Sequence, residues 1–240
     1  MAMRWSVLVV SSILLLAGCA STPPRKDGST PDTAPMSAGQ LVQTDFDRTV
    51  TLVMRDNLNS LYRLLDKLYR RNPREWRKSG QPSEAAAVQW VKQLIKKRQP
   101  PPGLVGLQDI QVLSVSLDPK YTGDRVAAFI YGLADTLIAA HNGKRVFYPF
   151  SKLDAQHIYN AARDAEAADW MLLTRRTASG EPLLLSDEMG KGPANLSFER
   201  EFGKIIGRLD LVASLLGENV RRIGIDYVQS LLLFNLLPVR

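Results

Sequence analysis

The sequence predicts an all-α protein: a single compact domain of roughly six or seven helices, residues 44–240, behind an N-terminal tether. Three observations lead there. From Thr44 onward, large apolar residues recur at intervals of three and four, the spacing of one helix face. Clusters of proline, glycine and asparagine separate these stretches and mark helix ends. Only residues 107–117 show strand-like alternation, at Leu113, Val115 and Leu117, and a lone strand has nothing to pair with. Leu107, Ile110, Leu113 and Leu117 are also spaced as a helix, which is the reading favoured.

The first helix carries Phe46, Val50, Val53, Leu58, Leu61, Leu65 and Leu68 on one face, with Asn57 where an apolar residue is expected. Asn72-Pro73-Arg74-Glu75 reads as a cap, a first-turn proline and an acid at the third helical position, opening a short helix that stops at Gly80. Ser83 caps the next helix, whose stripe is Val88, Val91 and Leu94 or Ile95. Lys96-Lys97-Arg98 close it at the negative end of its dipole. Pro100-Pro101-Pro102-Gly103 is a rigid turn inside one domain, since no change of composition follows it.

Asp124 caps a helix running to His141, ended by Asn142-Gly143. Ala127, Ala128, Gly132, Ala134, Ala139 and Ala140 fill the gaps between its large residues, so this helix is expected to be the central buried one. Another helix runs from about Asp154 to Arg176. Residues 183–197 form a long loop, and such loops are often functional or mobile. Ser197 is expected to cap a helix carrying Phe198, Phe202, Ile205, Leu209 and Val212. Gly217-Glu218-Asn219 allows a bend before a last helix with Val220, Ile223, Tyr227, Val228 and the run Leu231–Phe234. That run is too short to span a bilayer.

The N-terminus has a different character. A basic start with Arg4, an apolar run from Trp5 to Leu16 and small residues before a cleavage point mark an export signal, residues 1–18. Leu16-Ala17-Gly18-Cys19 resembles the lipobox of bacterial lipoproteins. The resemblance implies cleavage before Cys19, a diacylglyceryl group on its sulfur and an acylated new amine. More than one acyl chain makes such an anchor stable, where one would be marginal. Ala20 follows Cys19, and in the best-known sorting rule of that family Asp there retains a lipoprotein at the inner membrane. The implied location is therefore the outer membrane, facing the periplasm. Residues 20–43 hold Pro, Ser, Thr and Gly without helical or strand periodicity, so 19–43 reads as a lipidated, disordered tether. A chain of that kind spans roughly 27 Å, at ~5–6 Å times the square root of its length.

Cys19 is the single cysteine, so a lipidated chain keeps no thiol for a disulfide, a metal or a nucleophile. The chain carries +7, and residues 1–18 contain one charge, Arg4, which leaves +6 on the rest. In an envelope location this basic excess fits anionic lipid head groups or an envelope protein partner better than nucleic acid.

Catalytic chemistry has no motif here. His141 and His157 lack metal-ligand spacing; the first reads as a dipole or capping partner at a helix end, the second as a surface or packing residue. No Gly-x-Ser-x-Gly elbow or phosphate loop is present. Glycan cleavage would need two carboxylates, but Asp164, Glu166 and Asp169 on one helix and Glu199 and Glu201 on another read as solvated faces. The chain is therefore expected to be non-enzymatic, without catalytic residue, metal or cofactor beyond the lipid on Cys19. The candidate recognition residues stand where loops lead into helices, at Asp124 and Arg125 and at Phe198, Glu199 and Arg200.

Through Gly123-Asp124-Arg125-Val126 and Leu196-Ser197-Phe198-Glu199-Arg200 the body also resembles a group of helical lipoproteins of Gram-negative bacteria. That resemblance implies class and location and carries no mechanism. The leading expectation is a lipid-anchored binding or scaffolding module of the envelope. A carrier or sensor of an apolar ligand in a helical cavity is the second, and an envelope hydrolase the third.

Overall fold

Thr44 opens the first helix, α1 (Asp45–Arg71), with a reciprocal cap: its hydroxyl accepts the Asp47 N–H at 3.1 Å, and the Asp47 carboxylate accepts the Thr44 N–H at 3.2 Å. In this computed structural model the described residues are 43–107, 110–149, 151–188 and 194–236, with side chains described as far as Glu218. All belong to one compact unit, Val42–Arg240. The export signal, Cys19 and the tether as far as Val42 lie outside the described residues; Gln43, the last residue of the expected tether, is tied to the body through Phe147 O at 2.7 Å.

Six helices follow: α2 (Pro73–Arg77), α3 (Glu84–Lys97), α4 (Ile110–Ser116), α5 (Arg125–Ala140), α6 (Ala155–Thr174) and α7 (Glu199–Leu236). Among the described residues there is no strand, only two isolated antiparallel bridges, Arg176 with Pro182 and Glu188 with Asn195. The all-α expectation holds, and the ambiguous stretch at 107–117 contains a helix. Ser83 and Asp124 cap as expected, accepting from Ala86 N at 3.1 Å and Ala127 N at 2.9 Å.

Helix α5 is the centre. Every residue from Arg125 to Ile138 is buried, and it packs on α1, α2, α3, α4 and α6. Its small residues permit close approach: a Cβ on Gly132 would lie 3.0 Å from the Leu113 side chain and 3.1 Å from its backbone nitrogen. Helix α7 closes the body against α1 and α6, with Phe198, Phe202, Ile205, Leu209 and Val212 buried. The Phe202 ring meets Phe129 of α5 edge-on, centroids 6.4 Å apart.

Three local expectations are corrected. Asn72 makes no side-chain cap to α2. Its amide donates to Leu68 O and Leu185 O, both at 2.9 Å, and its carbonyl accepts Leu185 N at 2.8 Å, so it clamps a distant loop instead. Ser197 does not cap α7. Asp187 does so from twelve residues before the first residue of α7, accepting Phe198 N at 2.9 Å and Glu199 N at 2.8 Å. The chain does not break at Gly217-Glu218-Asn219: α7 is one helix of 38 residues, because an isolated glycine within a strong apolar stripe weakens a helix without ending it.

The 183–197 loop is held on both sides. Leu184 and Ser186 are buried, Arg71 pairs with Glu188 at 3.0 Å, and Asn72 holds Leu185. Residues 189–193 are outside the described residues, as is Phe150 of the aromatic run at 147–150. Phe147 is fully buried beside His141, and Tyr148 is exposed.

Candidate functional site

Polar side chains gather in three places. The first surrounds the start of α5. Asp124 caps that helix with one oxygen, and its other oxygen accepts the Tyr69 hydroxyl of α1 at 2.7 Å. Glu75 of α2 accepts the Arg125 N–H at 2.9 Å and the Lys78 ammonium at 2.6 Å. The Arg125 guanidinium donates to the carbonyls of Ser116, Asp118 and Pro119, at 3.0, 2.6 and 3.1 Å, collecting the chain just past the end of α4. Tyr121 lies under Arg125, 5.8 Å from ring centroid to guanidinium carbon.

Asp124 and Arg125, two candidate recognition residues, are thus 5% and 7% exposed and turned inward, where they join α1, α2, α4 and α5. Burial pushes the Asp124 carboxyl up to about 6, against the Ala127 and Tyr69 hydrogen bonds that favour its ionised form. Burial, with the Asp124 charge beside it, also raises the Tyr69 phenol.

The second cluster is the seam between α1 and α7. Glu201, 2% exposed, accepts Arg63 Nε at 3.0 Å and Lys204 Nζ at 2.6 Å. Burial alone would raise its pKa; the two cations outweigh that and hold it below the ordinary value. Asn57 is where this seam begins, its carbonyl 3.3 Å from Arg208. The polar interruption in the α1 stripe thus faces the arginine of a facing helix. Lys67 donates to Ser197 O at 3.0 Å and sits 5.2 Å from the Phe198 ring centroid; burial lowers its pKa.

Of the remaining candidates, Phe198 is core, while Glu199 and Arg200 are exposed on the first turn of α7. Glu199 lies near two other carboxylates, Asp169 and Asp187. Burial first, then the charges of Asp187 and Glu199, push Asp169 up to about 7. Asp169 is half-buried and its Oδ1 has no hydrogen-bond partner. Two carboxylates read from sequence as solvated, Glu201 and Asp169, are therefore not on a free face. Asp187 carried no signal of its cap, because it acts from outside the first turn it caps.

The third region is the outer face of α6. A groove of about 410 Å³ against α7 is lined by Tyr159, Arg163, Asp210, Ala213 and Ser214. Arg163 Nη2 lies 2.9 and 2.8 Å from the two Asp210 oxygens and neutralises them. A smaller groove of about 190 Å³ against α5 holds Thr136, His157, Asn160 and Asp164, the last with its pKa raised by burial.

His141 is the C-cap of α5, as its place at the helix end suggests, and it is fully buried. Its Nδ1 bonds Leu137 O at 2.7 Å, its Nε2 has no partner, and burial lowers its pKa to about 4. Among the described residues no group of three His, Cys, Asp or Glu is arranged to hold a metal, and no helix is long and apolar enough to cross a membrane. No protein-family model, curated protein or solved structure matches the chain. Its chemistry therefore rests on its own geometry, in which the charged groups of the first two clusters chiefly tie helices to one another.

Proposed function

We propose that the protein is a lipid-anchored module of the bacterial envelope, held at the outer membrane on its periplasmic side, which binds or scaffolds a partner without catalysing a reaction. The observation that carries this reading is Leu16-Ala17-Gly18-Cys19 after a short apolar run, with the chain's single cysteine at the acceptor position. The folded unit is consistent with such a role. Its buried charges are engaged with neighbouring helices, and its central helix is tightly packed at Gly132 against Leu113. A ligand cavity beside α5 at that point would have to displace Leu113, so the scaffold reading is favoured over a carrier of apolar ligands.

The test is expression of the full chain and of Cys19→Ser in a Gram-negative host, followed by membrane fractionation and mass measurement of the N-terminal peptide. The native chain is expected in the outer-membrane fraction with an acylated Cys19 amine, and the variant in the soluble fraction. Retention of Cys19→Ser in the membrane together with an unmodified Cys19 peptide in the native chain would reject the anchor.

A further inference from the structure

Where the end of α3 and the turn after α5 meet α1, cations collect without a counter-charge. Asn142 and Gly143, at φ 55° and 72°, turn the chain sharply as it leaves α5. Gly143 N donates to Ile138 O at 2.8 Å and closes that turn. Arg145 comes next to α3, where its Nη2 donates to Ile95 O in the last turn of that helix. Phe147 N then donates to Thr51 Oγ1 of α1 at 3.1 Å, which fixes the stretch from its other side. One turn back along α3, Lys92 stands over the Tyr62 ring of α1, its Nζ 5.0 Å from the centroid. Tyr62, Lys92 and Arg145, all half-buried, thus share one corner of the body.

The donors of this corner are not used up. Arg145 gives one nitrogen to Ile95 O, and among the described residues nothing accepts from its other two, from the Lys92 ammonium or from the Tyr62 hydroxyl. Burial raises the Tyr62 phenol against the opposing pull of Arg145, so the hydroxyl stays protonated and able to donate. Other cations at helix seams meet carboxylates: Arg63, Lys78, Arg98 and Arg163 each reach one at 3.0 Å or less. Lys92 and Arg145 do not, and Asp66, one turn along α1 from Tyr62, forms no ion pair with Lys92. The Ile95 carbonyl and the Tyr62 ring face steady one cation each, yet neither carries a negative charge. Lys96, one turn past Lys92, and Lys144, beside Arg145, are exposed and without an ion pair among the described residues, so the rim is positive too.

A guanidinium edge, an ammonium and a phenol together suit an anion with several oxygens. A phosphate group offers three or more acceptors and up to two charges, and arginine and lysine are its usual partners. We propose that Tyr62, Lys92 and Arg145 form a phosphate-binding site at the junction of α1, α3 and the turn after α5. The group it takes belongs to a lipid head group or to a free phosphate. The site goes beyond the lipid-anchor reading and does not rest on it.

The test titrates the chain from residue 19, with Cys19→Ser, with sodium phosphate at neutral pH and constant ionic strength, following its amide resonances. The expected result is saturable shifts centred on Tyr62, Lys92 and Arg145 that sodium acetate does not produce. Lys92→Gln should weaken binding on the order of tenfold, as should Arg145→Lys, which keeps the charge and loses the planar fork. Tyr62→Phe keeps the ring under Lys92 and should weaken binding through the lost hydroxyl alone. Lys120→Gln, before the opposite end of α5, removes an equal charge and should bind as the native chain does.

Sedimentation with vesicles of phosphatidylglycerol and phosphatidylcholine separates the two sources. Vesicle binding that Lys92→Gln weakens identifies a lipid head group; saturation by phosphate without vesicle binding identifies a free phosphate. Shifts that acetate reproduces overturn the site, as does the absence of both phosphate saturation and vesicle binding. Native-like binding by Lys92→Gln and Arg145→Lys overturns it equally. None of these readouts depends on the fractionation of Cys19→Ser, so the anchor and the site fail separately.

Discussion

Tyr69 and Asp124 meet across two helices, the phenol donating to the carboxylate at 2.7 Å from near the end of α1 to the residue that caps α5. Tyr69 is fully buried and Asp124 nearly so. Replacing Tyr69 with Phe keeps the ring and removes one of the two hydrogen bonds that support the Asp124 charge. The expected cost is about 1–3 kcal/mol, that of a buried acceptor left short of a partner. The urea midpoint at neutral pH should fall without a change in slope, and an unchanged midpoint would show that water replaces the phenol there.

Asp124 and His141 sit at opposite ends of α5 and have opposite pH dependence. The Asp124 carboxyl titrates at about 6 in the folded protein and near 3.8 ordinarily, so its contribution to stability is complete below about pH 4 and is lost as pH rises to about 6. His141 titrates at about 4 and ordinarily near 6.5, so its contribution is complete above about 6.5 and is lost as pH falls to about 4. Each is worth roughly 3 kcal/mol across its window, at ~1.4 kcal/mol per pH unit. In the native protein the two slopes largely cancel. Asp124→Asn keeps a good capping side chain and should make stability climb steeply from pH 4 to 6.5; His141→Leu should make it fall over the same range. Asp169, half-exposed, adds a weaker slope of the Asp124 sign to all three proteins and drops out of their differences. Urea unfolding at pH 4 and 6.5 measures this, and parallel behaviour of the two variants would contradict it.

Most of the helical frame was legible because helix-forming stripes and local caps are written in adjacent residues. Ser83 and Asp124 each stand directly before the turn they open. Asn72 looked the same and behaves differently, because Leu185, far along the chain, offers it both a carbonyl and an N–H. Glycine at 217 looked like a break, yet the apolar stripe continues through it in phase. Asp124 and Arg125 were legible as polar groups at a helix start. Their direction was not, since it depends on Glu75 of α2 and on the carbonyls at and just beyond the end of α4, which no local spacing reveals.

The distant cap on α7 gives a paired prediction. Asp187→Ala removes the acceptor of both the Phe198 and Glu199 N–H groups and should cost about 1–2 kcal/mol, the range for a lost N-cap. Ser197→Ala, at the residue that spacing alone marks as the cap, leaves those bonds intact and should change stability by less than about 0.5 kcal/mol. It also leaves the Ser197 carbonyl for Lys67. Denaturant midpoints of the two variants decide between a cap supplied by the loop and one supplied by the helix start. A larger loss for Ser197→Ala would reverse the assignment.

Gly132 shows how closely α4 is held to the centre. A methyl group there would enter within 3.0 Å of the Leu113 side chain and 3.1 Å of the Leu113 nitrogen. The side chain can rotate away, but the nitrogen belongs to the backbone of α4, so the whole short helix must move. In an exposed helix, Gly→Ala gains about 1 kcal/mol from propensity. Here overpacking should outweigh that gain, for a net loss of about 1–2 kcal/mol. Because Arg125 holds the carbonyls just beyond α4, the displacement should also loosen that clamp. Gly132→Ala is therefore expected to lower the urea midpoint and to speed amide exchange at Leu113 and Ser116 more than at Leu61 or Leu65 of α1. A rise in the midpoint would mean that α4 has room to move and that the small residues of α5 are not there for close approach.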